Sequence, residues 1–224
     1  MQRLEFLSKN PLFSGLSEKQ LKLLASLIRE REYEEGQFIV RDKDNIESLC
    51  FVRSGSVKLT KYSRTGKEQI VHIYSEGELM GICTLFTDSL FPANAVALEK
   101  TRVYTLSKDK LEQIAYNEQT FLLNLVFVLS ARLAESMSMV ESLSLKKAHQ
   151  RLAAFLEYSN LMRDDADKIR LPFSHQDLSR MLGVTPETLS RAFNRMKQKG
   201  IIQMECRTIT ILNHAALREM SEDF

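Results

Sequence analysis

Ser174-His175-Gln176-Asp177-Leu178-Ser179-Arg180-Met181-Leu182-Gly183-Val184-Thr185-Pro186-Glu187-Thr188-Leu189-Ser190-Arg191-Ala192-Phe193-Asn194-Arg195-Met196-Lys197-Gln198-Lys199-Gly200 is the stretch that decides the architecture of this 224-residue chain. Its first nine residues predict a short helix that Ser174 can cap. Gly183 then supplies a tight turn, because a residue without Cβ takes left-handed backbone angles at no steric cost. Thr185 can cap a second helix, Pro186 sits at its first position, and Gly200 stops it. Proline at the start and glycine just past the end is the expected asymmetry of a helix. Two helices joined through about three residues with glycine in the turn make a helix-turn-helix. Downstream, Ile201-Ile202-Gln203-Met204, a turn at Glu205-Cys206-Arg207, and Thr208-Ile209-Thr210-Ile211-Leu212 predict a hairpin, the wing.

The second helix divides into two faces. Leu189, Ala192, Phe193 and Met196 form an apolar stripe suited to packing on the first helix. Glu187, Ser190, Arg191 and Asn194 follow at i, i+3, i+4 and i+7, a polar stripe. Four cations, Arg191, Arg195, Lys197 and Lys199, stand against the single acid Glu187. Any solvated helix face can carry such charges. Beside two capped helices, a glycine turn and a wing, they read as a face that enters the DNA major groove. Arg suits guanine O6/N7 there, and Glu accepts from the cytosine amino group.

Outward from this segment, Thr120 to Leu143 contain neither Gly nor Pro. Leu122, Val126, Leu129, Leu133, Met137 and Val140 fall at steps of 4, 3, 4, 4 and 3, a near-heptad seam for a second helix. A single buried core helix is the plainer reading. Lys147 to Met162 is helical, and Arg163 to Lys168 is a polar loop. Residues 1 to about 30 read as short helices, one opened by Ser17. From Tyr33 to Leu106 the period changes to two, with strands at Ser48–Arg53, Val57–Tyr62, Gln69–Tyr74, Ala95–Leu98 and Arg102–Leu106. Ser54-Gly55-Ser56 turns between the first two. Such spacing indicates a small antiparallel barrel or sandwich, so the fold class is α+β.

Composition bounds the rest. With 44% hydrophobic and 27% charged residues, disordered and fibrous classes are excluded. A formal net charge of +2 gives no bulk attraction to nucleic acid or to an acidic membrane, so any such binding needs a local patch. The longest apolar runs are about five residues, and Met1-Gln2-Arg3-Leu4-Glu5 lacks a signal-peptide apolar region, so a cytoplasmic protein without a membrane partner is expected. Cys50, Cys83 and Cys206 lie far apart, against a disulfide framework or a cysteine-only cluster. His72, His149, His175 and His214 are single and scattered, so a cupin-type catalytic metal has no ligand set and an enzyme is not expected.

On these features the chain resembles the CRP/FNR family of bacterial transcription regulators over nearly its whole length. The barrel has the strand start Gly55-Ser56-Val57-Lys58-Leu59 and the turn Gly77-Glu78-Leu79-Met80-Gly81; a long helix and the winged helix-turn-helix follow in the family's order. Val184-Thr185-Pro186-Glu187-Thr188-Leu189-Ser190-Arg191 resembles the Glu-x-x-Ser-Arg reading motif of the FNR branch. The resemblance implies a cyclic-nucleotide-binding-like β-roll sensor over 1–116, a dimerisation helix over 117–145, and a DNA-binding domain over 146–224. It implies that Glu187, Ser190 and Arg191 read bases of a TTGA-like half-site in an inverted repeat. Ser174, Gln176, Thr185, Thr188 and Arg195 would hold phosphates. Implied partners are double-stranded DNA, a second copy of the chain, RNA polymerase and a small-molecule or gas effector.

The resemblance also marks departures. Family members that bind cyclic nucleotide place an acid where this chain has Ile82, and an Arg and a hydroxyl where it has Pro92 and Ala93. An unpaired buried phosphate is very costly, so cyclic nucleotide is not expected. Residues 1–49 hold no cysteine, so the iron–sulfur sensor of the oxygen-responsive members is not expected either. An apolar effector pocket remains, with candidates Gly77, Glu78, Leu79, Met80, Gly81, Ile82, Cys83, Phe86, Phe91, Phe121, Leu125 and Val128. It suits an apolar effector or haem, with His72 as a candidate axial ligand. With cyclic nucleotide and cluster set aside, the family's nitric-oxide-responsive DNR/HcpR-like regulators are the preferred comparison. Cys83 reads as an inert buried thiol, with a redox thiol as the alternative. The competing function is a sensory module that regulates a protein partner without specific DNA binding.

Overall fold

A computed structural model describes residues 2–85, 87, 89–161, 167–171, 173–205 and 207–222, without the side chains of Cys83, Leu85 and Leu161. The chain forms two compact units, 1–134 and 135–224.

The first unit opens with helix α1 (Gln2–Lys9), a 3-10 turn (Pro11–Phe13) and α2 (Glu18–Leu27). Ser17 and Gln20 cap α2 reciprocally, each side chain bonding the other's main-chain N–H. Eight strands follow: β1 (Arg29–Tyr33), β2 (Phe38–Val40), β3 (Ser48–Ser54), β4 (Val57–Tyr62), β5 (Glu68–Tyr74), β6 (Leu79–Met80), β7 (Asn94–Ala97) and β8 (Thr101–Ser107). A short helix, α3 (Ile82–Leu85), lies between β6 and β7. The strands form two antiparallel sheets, ordered β1-β8-β3-β6 and β2-β7-β4-β5.

The strand pattern places three things differently from the sequence reading. β1 begins at Arg29, four residues before the expected change of period, because REREY is an edge strand with both faces wet and carries no apolar alternation. β2 and β6 are too short to show a period. Ser54-Gly55-Ser56 does not join a paired hairpin: β3 and β4 belong to different sheets. Gly55 sits at φ +85° at that corner, and a Cβ there would lie 2.6 Å from Thr101 Oγ1 and 2.7 Å from Lys100 O. Only glycine fits this crossing from sheet to sheet.

β3 is buried on both faces. Leu49 and Phe51 join a core with Leu7, Phe13, Leu24, Leu79, Tyr104, Phe121 and Leu125. Cys50 and Val52 join a second core with Val57, Tyr74, Met80, Phe91 and Ala95. Successive strand residues point to opposite faces, which is what separates the two cores.

Helix α4 (Lys108–Asn117) leads to α5 (Gln119–Leu145). Phe121, Asn124, Leu125, Val128 and Arg132, at i, i+3, i+4, i+7 and i+11, face the first unit. Phe121 and Leu125 are buried in its core, and Asn124 Nδ2 donates to Leu12 O (3.1 Å) and Ser14 O (2.8 Å). Leu122, Val126, Leu129, Leu133, Met137 and Val140 are exposed, as are Leu123 and Phe127. By length and composition alone α5 is apolar enough to cross a membrane, which the short apolar runs did not reveal.

The second unit holds α6 (Ala148–Leu161), β9 (Lys168–Arg170), α7 (His175–Met181), α8 (Pro186–Gln198), β10 (Ile202–Glu205), β11 (Thr208–Ile211) and α9 (His214–Glu222). The wing has three strands, ordered β10-β11-β9. Lys168 therefore starts a strand rather than ending a loop, and pairs with Thr210. Residues 163–166 of the expected loop lie outside the described residues. α9 was unforeseen; it packs on α6 through buried Leu217 and Met220, and Arg218 and Ser221 bond Glu157.

Candidate nucleic-acid interface

Ser174 Oγ accepts from Asp177 N at 3.1 Å and lies 2.5 Å from Asp177 Oδ2, a closed capping box. The hydroxyl expected at a phosphate thus already caps α7. Leu182 ends α7, Gly183 turns the chain at φ +64°, and Val184 N donates to Ser179 O (3.0 Å). Thr185 Oγ1 accepts from Thr188 N at 3.3 Å, and Pro186 occupies the first helical position of α8.

α8 then separates its faces as its period demands. Leu189, Ala192, Phe193 and Met196 are buried; Glu187, Ser190, Arg191, Asn194 and Arg195 are exposed. The His175 ring stacks on Phe193, with centroids 5.4 Å apart, joining α7 to α8. Gln176 is exposed on the first turn of α7. The three residues expected to touch bases thus share one exposed face. Thr185 and Thr188 lie at its amino end.

The charges on this face are settled by local contacts. The Glu187 carboxylate is held below its ordinary pKa by its own main-chain N–H, by the Thr185 hydroxyl and by the charge of Arg191. It therefore stays an acceptor at neutral pH. Arg191 Nη2 rests on Thr188 Oγ1 at 3.1 Å, so a base edge would replace one hydrogen bond to a neutral hydroxyl. Lys197 and Lys199 extend the exposed positive charge to the end of α8. Lys168, Arg170 and Arg207 are exposed on the wing; the sequence reading placed Arg207 at its turn, put Lys168 at the end of a loop and left Arg170 unassigned.

Comparison with known proteins agrees with both units. Residues 30–118 match the cyclic nucleotide-binding domain family, and residues 150–220 match the Crp-like helix-turn-helix domain family. The transcriptional activator protein Anr of Pseudomonas protegens is 33% identical over 83% of this chain and 77% of its own length. The fumarate and nitrate reduction regulatory protein of Vibrio cholerae is 30% identical over 92% of this chain and 84% of its own. The solved structure of FixK2 from Bradyrhizobium japonicum superimposes with a TM-score of 0.79 at 25% identity, covering 86% of this chain and 96% of that one.

The chain belongs to the CRP/FNR family of transcription regulators. Its second unit is accordingly a DNA-binding helix-turn-helix, and its first is a β-roll of the cyclic nucleotide-binding type.

The ligands known for such rolls can be tested against the residues present. For a cyclic nucleotide, Ile82 packs on an apolar core, Pro92 is exposed without a donor, and Ala93 is buried. No Arg or hydroxyl stands at these positions to meet a phosphate, and the residues do not fit. A four-cysteine cluster needs one more thiolate than the three cysteines of this chain supply. Cys50 is buried, and that burial pushes its thiol up to about 11, away from the thiolate a metal needs. His72 is engaged: its ring lies 3.2 Å from Glu78 Oε1 and against the guanidinium of Arg132 of α5, which also donates to Glu78 Oε1 at 2.8 Å. Haem ligation would have to displace both neighbours.

The expected effector pocket is divided. Leu79, Phe121 and Leu125, with Ile82 and Val128 against them, belong to one core; Met80 and Phe91 belong to the other. Adjacent strand residues point to opposite faces, which sends Leu79 and Met80 into different cores. Gly77 and Gly81 take left-handed angles at either end of β6, and Glu78 turns to Arg132. The Cys83 side chain and Phe86 lie outside the described residues. Two clefts of the first unit lie elsewhere: one of 430 Å³ beside Tyr33, Phe38 and Arg41, the other of 500 Å³ beside Arg3, Ala25 and Tyr104.

Proposed function

We propose that this chain is a cytoplasmic, dimeric regulator that binds an inverted-repeat operator with TTGA-like half-sites. The observation that carries this reading is the clean division of α8, with Leu189, Phe193 and Met196 inside and Glu187, Ser190 and Arg191 outside. Arg191 would take guanine O6/N7 and Glu187 the cytosine amino group, with Ser190 between them on the same face. Gln176 on α7, with Thr185, Thr188 and Arg195 on α8, would hold phosphates, positioning the helix without specifying sequence. Ser174 would serve mainly through its cap.

The exposed seam from Leu122 to Val140 is the face a second copy would cover. A two-fold dimer would then place two recognition helices about one DNA turn apart. An effector in the first unit would act by changing how the two α5 helices pack, and so how the residues just after Leu145 set the spacing of the recognition helices. Effector and DNA affinities would be coupled reciprocally, by about 1–3 kcal/mol. RNA polymerase is the natural downstream partner. An apolar effector would have to part the packed core around Phe121. A response to nitric oxide or redox state would enter through such an effector.

Selection of bound sequences from a random duplex pool tests the reading. Enrichment of paired, inverted TTGA-like half-sites is expected. Binding without sequence preference would leave only a sensory module acting on another protein.

A further inference from the structure

One guanidinium in the second unit is placed where the proposed function needs a rigid joint. Arg151, in the first turns of α6, donates through all three of its nitrogens. Nε meets Lys146 O, Nη1 meets Leu182 O, and Nη2 meets Leu143 O, each at 2.9 Å. The last carbonyls of a helix have no partner within the helix and carry its negative dipole end. Leu143 O and Lys146 O close the end of α5, three to six residues after the seam residue Val140. Leu182 O closes α7, one residue before the Gly183 turn that aims α8. One cation thus caps two helix ends and ties the end of the seam helix to the turn of the helix-turn-helix. The start of α6 is fixed besides by Gln150 Oε1, which accepts from Lys147 N at 2.6 Å.

We infer that Arg151 is the positioning residue that fixes the spacing of the two recognition helices. This rests on the proposed dimeric DNA-binding function. Arg151 touches no base; it acts through the main chain on either side of it. Its planar fork presents donors in fixed directions to three carbonyls at once, whereas lysine has one compact head and cannot span them. Charge alone would therefore not replace it.

Binding is measured on duplexes carrying two selected half-sites, with the central spacer stepped one base pair at a time, and on a duplex with one half-site. The natural chain is expected to show a narrow spacer optimum. Arg151→Lys and Arg151→Gln should both lose at least about tenfold in affinity at that optimum and flatten the spacer profile, with one-half-site affinity within about twofold. A natural-type profile in both variants overturns the inference. So does a parallel loss on one and two half-sites, which marks general damage to the fold.

Amide hydrogen exchange without DNA gives a separate arm. Lys146 N bonds Ser142 O and Val184 N bonds Ser179 O, on the two sides of the joint. Arg151→Gln should speed exchange at both amides together; a change at neither, or at one side only, overturns the inference. If the natural chain selects no sequence, the DNA-binding reading fails, while the exchange arm still decides whether Arg151 joins the two segments.

Discussion

Arg191 lies along its own helix, exposed, with Nη2 donating to Thr188 Oγ1 at 3.1 Å. Arg191→Ala should weaken operator binding by about 1–3 kcal/mol and relax preference at one base pair. Competition between the operator and single-base variants checks it; an equal loss for every sequence would make Arg191 a phosphate contact. Glu78 poses a different question. Burial tends to raise its pKa, but the hydrogen bond and charge of His72, the Ser75 N–H and the charge of Arg132 outweigh burial and hold it below 4.5. A carboxylate depressed in the folded state contributes stability above its unfolded pKa and loses it as pH falls through the folded value. Because the side chain is 34% exposed, solvent screening limits the contribution to about 1 kcal/mol. Glu78→Gln should therefore lower urea stability at pH 7 by about that amount, with the difference vanishing well below pH 4.5. An equal difference at both pH values would mean that the contact is not ionic.

Among the elements, the α7–turn–α8 unit was legible almost completely, because its signals are local. Ser174, Gly183, Thr185, Pro186 and Gly200 each act on main chain within a few residues of themselves. Gly183 holds φ +64°, so Gly183→Ala should destabilise the second unit by about 1–2 kcal/mol; Thr185→Ala, which removes the cap of α8, should cost about 1 kcal/mol. Denaturant midpoints of the second unit measure both. β9 stayed hidden because three residues, Lys168-Ile169-Arg170, are too few to show a period; their pairing with Thr208–Thr210 comes from 38 or more residues downstream. α5 was read correctly as long, and its two faces are now assigned. Leu129→Glu places a charge on the exposed seam, outside the core of the first unit. Burying that charge twice at a two-fold seam should weaken self-association by at least about 100-fold, read by sedimentation, while circular dichroism stays unchanged. A variant that still dimerises would place the second copy elsewhere.

For the molecule as a whole, a net charge of +2 provides no long-range pull toward DNA, so affinity has to come from the clustered cations of α8 and the wing. The logarithm of affinity should fall linearly with the logarithm of salt concentration, by about 0.9 for each phosphate contacted. Arg195→Ala should reduce that slope by about 1 per half-site while leaving the base preference intact. An unchanged slope would remove Arg195 from the phosphate contacts. By itself the sequence determined the helix-turn-helix, the polar and apolar faces of its second helix, the apolar spacing along α5 and the β-rich character of the first unit. Each of those follows from a period or a cap confined to a short stretch of chain. Only the tertiary structure decided that β3 and β4 part into separate sheets and that Leu79 and Met80 enter different cores. It alone put His72 against Arg132, 60 residues away, and Arg151 between the ends of two helices. Partners that distant are chosen by packing and by the orphan carbonyls that packing leaves, neither of which any local pattern of residues encodes.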